Sequence, residues 1–184
     1  LVMSLAIAQL LKENGIEADI SAGLSLGEYS ALIYSNIINF EDGINIVRKR
    51  GTFMQECLPE GDWSMAAILG LDDETIEAVC QKVTKGFVVP ANYNCTGQVA
   101  ISGEKEAVTE AMELLKEAGA KRAIELKTSG PFHTAKLKDA SDKLREALNE
   151  IKINSVSNKK VIKNIDALEY SNNDDIKEIL ANHV

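Results

Sequence analysis

The sequence predicts an α/β fold in two parts, a core of alternating helices and short strands and an inserted β-α-β-β-α-β subdomain. Three observations predict it. A G-x-S-x-G run, Gly23-Leu24-Ser25-Leu26-Gly27, stands between a stretch of strand character and one of helical character. From Trp63 to Leu126 the rhythm changes, with apolar alternation and helical periodicity following each other in the split βαβ order. After Thr128 the chain returns to the first pattern.

Taken in order, Leu1 to Leu11 reads as a core-facing helix closed by the cap signal Asn14-Gly15. Ile16 to Ala22 reads as a short strand and Leu26 to Ile37 as a helix. A further helix spans Glu41 to Glu56, with Asp42 near its positive end. Leu58-Pro59-Glu60-Gly61-Asp62 is punctuated as a linker. Ser64 to Gly70 is a strand, and Asp72 to Val83 a helix capped by Asp72 or Asp73, with Ile76, Val79 and Cys80 on one face. Phe87 to Asn94 and Gln98 to Ser102 are strands joined by Cys95-Thr96-Gly97. Lys105 to Ala118 is a helix stopped by Gly119, and Lys121 to Leu126 a strand. Thr128 to His133 is a loop. Ala135 to Glu150 is a helix with Leu137, Leu144 and Leu148 among its core positions. Lys160 to Ile165 is a strand, and Asp174 to Asn182 a helix capped by Asn173 or Asp174. The elbow makes the core hydrolase-like, and the element order makes the insert ferredoxin-like. The expected division is a core of 1–60 and 128–184 and an insert of 61–127, with the active site between them.

Bulk properties narrow the function. A net charge of −8, from 20 basic and 28 acidic residues, argues against a general nucleic-acid binder. No apolar run is long enough to span a membrane. Three cysteines, Cys57, Cys80 and Cys95, lack C-x-x-C spacing and fit a reduced, cytoplasmic protein rather than a disulfide scaffold. With only two histidines, His133 and His183, no metal-ligand spacing is present, and no metal or cofactor is expected. The first residue is leucine, the first element is already a helix and Val184 falls inside another, so a fragment cut at both ends is expected.

The elbow carries the chemistry. A serine on a strand-to-helix turn presents its hydroxyl to open space, and the glycines at 23 and 27 are expected to prevent collisions across the turn. The Leu26 N–H, at a helix N-terminus, could face a developing oxyanion. The bland alternative is that Ser25 is an ordinary helix cap. A serine nucleophile needs a base. His133, in a loop stiffened by Pro131, is one candidate, with a surface histidine capping the next helix as the alternative. His183 reads as an exposed terminal side chain. Arg50 shares a stripe with Val47 and Met54, while Arg48 and Lys49 turn to water. A guanidinium on an apolar stripe is costly unless an anion meets it. It could hold a substrate carboxylate, form an internal ion pair or snorkel. Asn92, Asn94 and Gln98 crowd a strand-turn-strand, where amides line a polar cleft or simply serve the turn.

Together these residues carry a resemblance. Gly23-Leu24-Ser25-Leu26-Gly27-Glu28-Tyr29-Ser30-Ala31-Leu32, then Val47-Arg48-Lys49-Arg50-Gly51 and Met54-Gln55, resemble the malonyl-CoA:acyl carrier protein transacylases, the acyltransferases of fatty acid and polyketide synthesis. So do Met65 to Gly70, Asn92 to Gly103 and Gly130-Pro131-Phe132-His133-Thr134, in register along essentially the whole chain. The resemblance implies that Ser25 takes the malonyl group from malonyl-CoA, a substrate rather than a cofactor. His133 would serve as base and acid, Arg50 would pair with the malonyl carboxylate and Leu26 would supply an oxyanion N–H. It places His183 at the position, often glutamine in relatives, whose main-chain carbonyl orients the catalytic histidine. It makes Phe132 a mark of malonyl selectivity.

The chain departs from the pattern at Leu24, where the family usually has histidine. The family's N-terminal glycine-glutamine loop, which supplies a second oxyanion donor, is expected to fall outside this sequence. Loss of one such donor costs about 2.7–4 kcal/mol of barrier. The implied partner is acyl carrier protein. Because both proteins would be acidic, docking would need a local basic patch, for which Lys136, Lys138 and Lys143 are candidates beside a merely solvated face. Two rivals remain. A serine esterase or lipase would need no Arg50, and a non-catalytic docking fragment of a larger synthase would not acylate Ser25.

Overall fold

The computed structural model describes residues 1–59, 61–128, 130–156 and 159–184. Glu60 of the expected linker and Ser129 of the expected loop lie outside the described residues. Two compact units emerge, Leu1–Phe53 with Ala140–Val184 and Met54–Asp139.

In the first unit, α1 (Val2–Glu13) closes where the sequence predicts, with Asn14 at the C-cap and Gly15 at φ 77°. The Ile16 N–H returns to the Leu11 carbonyl at 3.0 Å, which completes a Schellman closure. The expectation that this helix faces the core is overturned, because none of its residues is buried. Val2, Met3, Ile7, Leu10 and Leu11 are all exposed. Its apolar residues follow helical periodicity, but α2 covers them only in part, leaving Leu5 and Ala8 half-buried.

Strand β1 is confined to Ile20–Ala22. It pairs in parallel with β6 (Lys160–Ile162), Ile20 opposite Lys160 and Ala22 opposite Ile162. Before it, Ile16 is spent on the α1 cap, Ala18 N–H donates to the Tyr34 hydroxyl at 2.8 Å, and the Asp19 carbonyl accepts from Lys160 N–H at 3.0 Å. Helix α2 (Leu26–Tyr34) stops short of the expected Ile37. Asn36 adopts φ 60°, and Ile37 N–H turns back to the Leu32 carbonyl at 2.9 Å. Asparagine tolerates this left-handed position and ends the helix as a glycine would.

Helix α3 (Phe40–Glu56) follows. A side chain at Gly43 would come within 2.3 Å of the Ile33 side chain, so the missing Cβ permits the close approach to α2. Late in the chain, α6 (Lys138–Asn149) begins after a 3-10 turn at Ala135–Leu137 capped by the Thr134 hydroxyl. The last helix, α7 (Ile176–Asn182), is capped by Asp175 rather than Asn173 or Asp174. Asp174 is occupied, accepting from the Ser171 N–H at 2.7 Å. The unit's buried side chains include Leu32, Ile37, Ile38, Ile46, Leu144, Leu148, Val161 and Leu180.

The second unit follows the order β2 (Trp63–Leu69), α4 (Asp73–Cys80), β3 (Val88–Cys95), β4 (Gln98–Glu104), α5 (Lys105–Glu117), β5 (Arg122–Leu126). Its sheet order is β3-β4-β2-β5, and each neighbouring pair is antiparallel. Alternate residues Ala66 and Ile68 of β2 and Val99 and Ile101 of β4 enter one core with Ile76, Val79, Val108, Ala111 and Leu115 from the helices. Periods of two and of 3.6 residues therefore meet on one apolar layer. Asp72 caps α4 by accepting from Thr75 N–H at 2.8 Å.

Candidate active site

The parallel pairing of β1 and β6 sets their carboxyl ends side by side. Ser25 follows one and Asn164 the other, the usual position of a site in a parallel sheet. Ser25 holds φ 49° and ψ −108°, a conformation that costs a non-glycine residue of order 1–3 kcal/mol. Crowding at the elbow is one-sided. A Cβ on Gly23 would lie 1.9 Å from the Gly27 carbonyl carbon, whereas one on Gly27 would meet nothing. The collision expected at both glycines is thus found at Gly23 and corrected at Gly27.

Ser25 occupies the N-cap position of α2 but makes no side-chain capping bond, contrary to the ordinary-cap alternative. Its hydroxyl accepts instead from the Arg50 guanidinium at 2.9 Å. The Leu26 N–H, in the first turn of α2, has no hydrogen-bond partner among the described residues, as an oxyanion donor requires.

Arg50 is only 6% exposed, which rules out a snorkelling side chain. It has no ion pair among the described residues. Its guanidinium carbon lies 5.9 Å from the centroid of the Tyr29 ring, within cation–π range. Burial pulls its pKa below the ordinary guanidinium value, opposed by the Coulombic pull of Tyr29 and Glu28. Among the described residues the serine hydroxyl is thus the one neutral hydrogen-bond partner of a buried cation, and such a cation is costly unless an anionic group meets it.

Glu28 is fully buried. Its Oε1 accepts from the Asn164 N–H at 2.9 Å and the Tyr170 hydroxyl at 2.8 Å. Its Oε2 faces His183 Nδ1 at 3.5 Å. Burial, followed by the Glu28 charge, pushes the Tyr170 phenol far above its ordinary pKa, so Tyr170 remains a donor. His183 is therefore not the exposed terminal residue its position suggests; its side chain is 15% exposed and faces the buried carboxylate.

The remaining predicted residues belong to the second unit, except Lys143, which belongs to the first. His133 is half-buried and takes φ 58°, so both predicted catalytic side chains sit on left-handed backbone, as strained functional residues often do. Phe132 is half-buried in the same turn. The Thr134 hydroxyl donates to the Pro131 carbonyl at 2.7 Å and braces this turn. On β3, Asn92 is half-buried and Asn94 exposed, while Gln98 opens β4 and accepts from Cys95 Sγ at 3.7 Å. Lys136, Lys138 and Lys143 are exposed, and Lys136 Nζ lies 4.9 Å from the Phe87 ring centroid. Among the described residues no group of His, Cys, Asp or Glu is placed to hold a metal ion. None of the described helices is long and apolar enough to cross a membrane.

Glu28, Asn164 and Tyr170 escaped the sequence reading. Glu28 had a usable signal, since it shares a helical stripe with Ala31 and Leu32, the same anomaly that singled out Arg50.

A strained serine between strand and helix, with a buried guanidinium on its hydroxyl, defines an α/β elbow protein. Residues 1–182 match the acyl transferase domain family, and the chain belongs to that family. It is 47% identical over 182 residues to the malonyl CoA-acyl carrier protein transacylase of Bacillus subtilis, covering 98% of this chain and 57% of that protein. The crystal structure of the corresponding transacylase from Clostridium perfringens superposes with a TM-score of 0.92 at 46% identity, covering 98% of this chain and 57% of the other. A malonyl-transacylase in complex with a type II PKS acyl-carrier protein gives 0.91 at 42% identity, covering 98% and 59%. The chain thus spans somewhat under two thirds of the length of the relatives it matches.

Proposed function

We propose that this chain carries the acyl-transfer site of a malonyl-CoA:acyl carrier protein transacylase, moving malonyl from coenzyme A to the phosphopantetheine thiol of acyl carrier protein. The observation that carries the reading is the buried Arg50 guanidinium on the Ser25 hydroxyl. An esterase has no need of a buried cation at its nucleophile. A carboxylated acyl group does, because bidentate pairing with arginine selects it and aligns its thioester carbon.

Transfer proceeds in two halves. His133 takes the Ser25 proton as the hydroxyl oxygen attacks the thioester carbon. The Leu26 N–H receives the developing oxyanion, and coenzyme A departs as its thiol, protonated by the imidazolium. The acyl carrier thiol then attacks the Ser25 ester, with His133 again as base, and free Ser25 is restored. Arg50 holds the malonyl carboxylate throughout and takes no part in bond changes. Phe132 sets the size of the accepted acyl group. Asn92, Asn94 and Gln98 contribute polar groups toward substrate, and the lysines of the 136–143 segment meet the acidic carrier. A hydrolase-like core with residues 61–127 as a ferredoxin-like insert is the architecture we assign. The order β3-β4-β2-β5 with two helices on one core supports the insert. Three free cysteines support a reducing, cytoplasmic setting.

Because the chain spans 57% of the Bacillus subtilis relative, the test uses it alone and flanked by that relative's remaining segments. Arg50→Ala is expected to abolish the preference for malonyl-CoA over acetyl-CoA in Ser25 acylation. Retention of that preference would refute the assignment.

A further inference from the structure

The buried Glu28 carboxylate has no part in the transfer just described, yet a fully buried carboxylate is costly to keep. Its bonds show what it holds. Ser25 N–H, which has no partner within α2, donates to the Asn164 side-chain oxygen at 2.5 Å. The Asn164 N–H donates to Glu28 Oε1 at 2.9 Å. The Glu28 N–H donates to the Ser25 carbonyl at 3.2 Å. These three bonds form a closed ring, serine to asparagine to glutamate and back to serine. It spans the nucleophile, the first turn of its helix and the turn after the neighbouring strand. Tyr170 steadies the ring by donating to the same Glu28 oxygen at 2.8 Å, and His183 faces the other at 3.5 Å.

We propose that Asn164, held in place by Glu28, is the positioning residue that fixes Ser25 in its left-handed elbow conformation. Without its acceptor, the Ser25 N–H is free to turn, and a backbone at φ 49° relaxes toward commoner geometry. The hydroxyl then leaves the Arg50 guanidinium. Neither Asn164 nor Glu28 touches the acyl group, and their effect passes through Ser25 alone. This inference deepens the acyl-transfer reading and rests on it.

The test separates presentation of Ser25 from donor choice. A fluorophosphonate probe phosphonylates an activated serine whatever its natural acyl donor, so labelling of Ser25 reports the elbow, and malonyl-CoA reports the donor. In this chain, alone and flanked as above, Asn164→Ala is expected to slow labelling by about tenfold to a hundredfold, the scale of an ångström-sized misplacement. Its melting transition should persist and its KM for malonyl-CoA stay near the parent's while kcat falls. Asn164→Asp, which keeps an acceptor oxygen, should restore most of the rate. If Asn164→Ala fails to fold, Glu28→Leu, which removes the acceptor for the Asn164 N–H at similar volume, decides by the same labelling. Unchanged labelling in the folded variants, a loss matching only the unfolded fraction, or no labelling of the parent would overturn the proposal. A parent that labels but takes no malonyl group would refute the donor assignment, while the labelling ratio still decides the role of Asn164.

Discussion

The two units bury different kinds of polar side chain. In the first, Glu28, Arg50 and Lys163 lie buried among apolar residues, together with Ser35. In the second, the buried polar residues among those described are the hydroxyls Ser64, Ser102 and Thr134. The second unit also closes its helices and sheet around one apolar core, whereas the first leaves the whole of α1 without a buried residue. The contrast teaches that the fold's stability and its chemistry are not evenly shared. Burying charge costs stability wherever it occurs. The unit with the elbow bears that cost at Glu28, Arg50 and Lys163, while the polar side chains buried among the described residues of the second unit are uncharged hydroxyls.

Four substitutions break or sharpen this contrast. Ile101→Ala, at the centre of the second core, should destabilise by about 2–5 kcal/mol, read by denaturant unfolding. A negligible loss would mean that this unit does not rest on its apolar layer. Arg50→Met removes a buried charge while keeping an unbranched, apolar stem. Malonyl acylation of Ser25 should fall about tenfold to a hundredfold, the worth of a charged hydrogen bond. The melting temperature should hold or rise, as when an unpaired buried charge is removed. A fall in both would make Arg50 structural.

The third change concerns pH. Hydrogen bonds from Arg145 hold the Glu178 carboxyl below its ordinary pKa, at 2.7 Å and 3.1 Å. A carboxylate with a lowered folded pKa contributes stability that is present above its unfolded value of 4.5 and lost as pH falls through the folded value. Arg145→Ala should therefore lower the melting temperature at neutral pH and change it little well below that pH, which flattens the acid limb of the profile. Least of all, Lys49→Ala breaks the exposed Lys49–Glu150 pair, 2.7 Å apart, and should leave the melting temperature within error.

Much of the architecture was legible because periodicity and caps are local. Asp72 capping α4, Gly15 closing α1 and the inward face of α4 all follow from neighbours in sequence. Errors arose where a distant or unusual partner decided. Strand β1 is three residues long because, among the described residues, Lys160 to Ile162 are the ones that offer it a ladder. Helix α2 ends early because Asn36 takes a conformation usually left to glycine. The periodicity of α1 is correct, but a pattern cannot tell what, if anything, covers it. At the site, Ser25 and Arg50 stood out because a motif and an apolar stripe mark them. Asn164 and Tyr170 did not, since their significance lies in bonds to residues 136 and 142 positions away.

The central claim is that Ser25 accepts a malonyl group. Intact mass and peptide mapping after brief mixing with malonyl-CoA test it most directly, on the chain alone and flanked by the remaining segments of the Bacillus subtilis relative. A malonyl adduct is expected on Ser25 in the flanked chain and none in Ser25→Ala. No adduct in either form, or an adduct that survives Ser25→Ala, would contradict it.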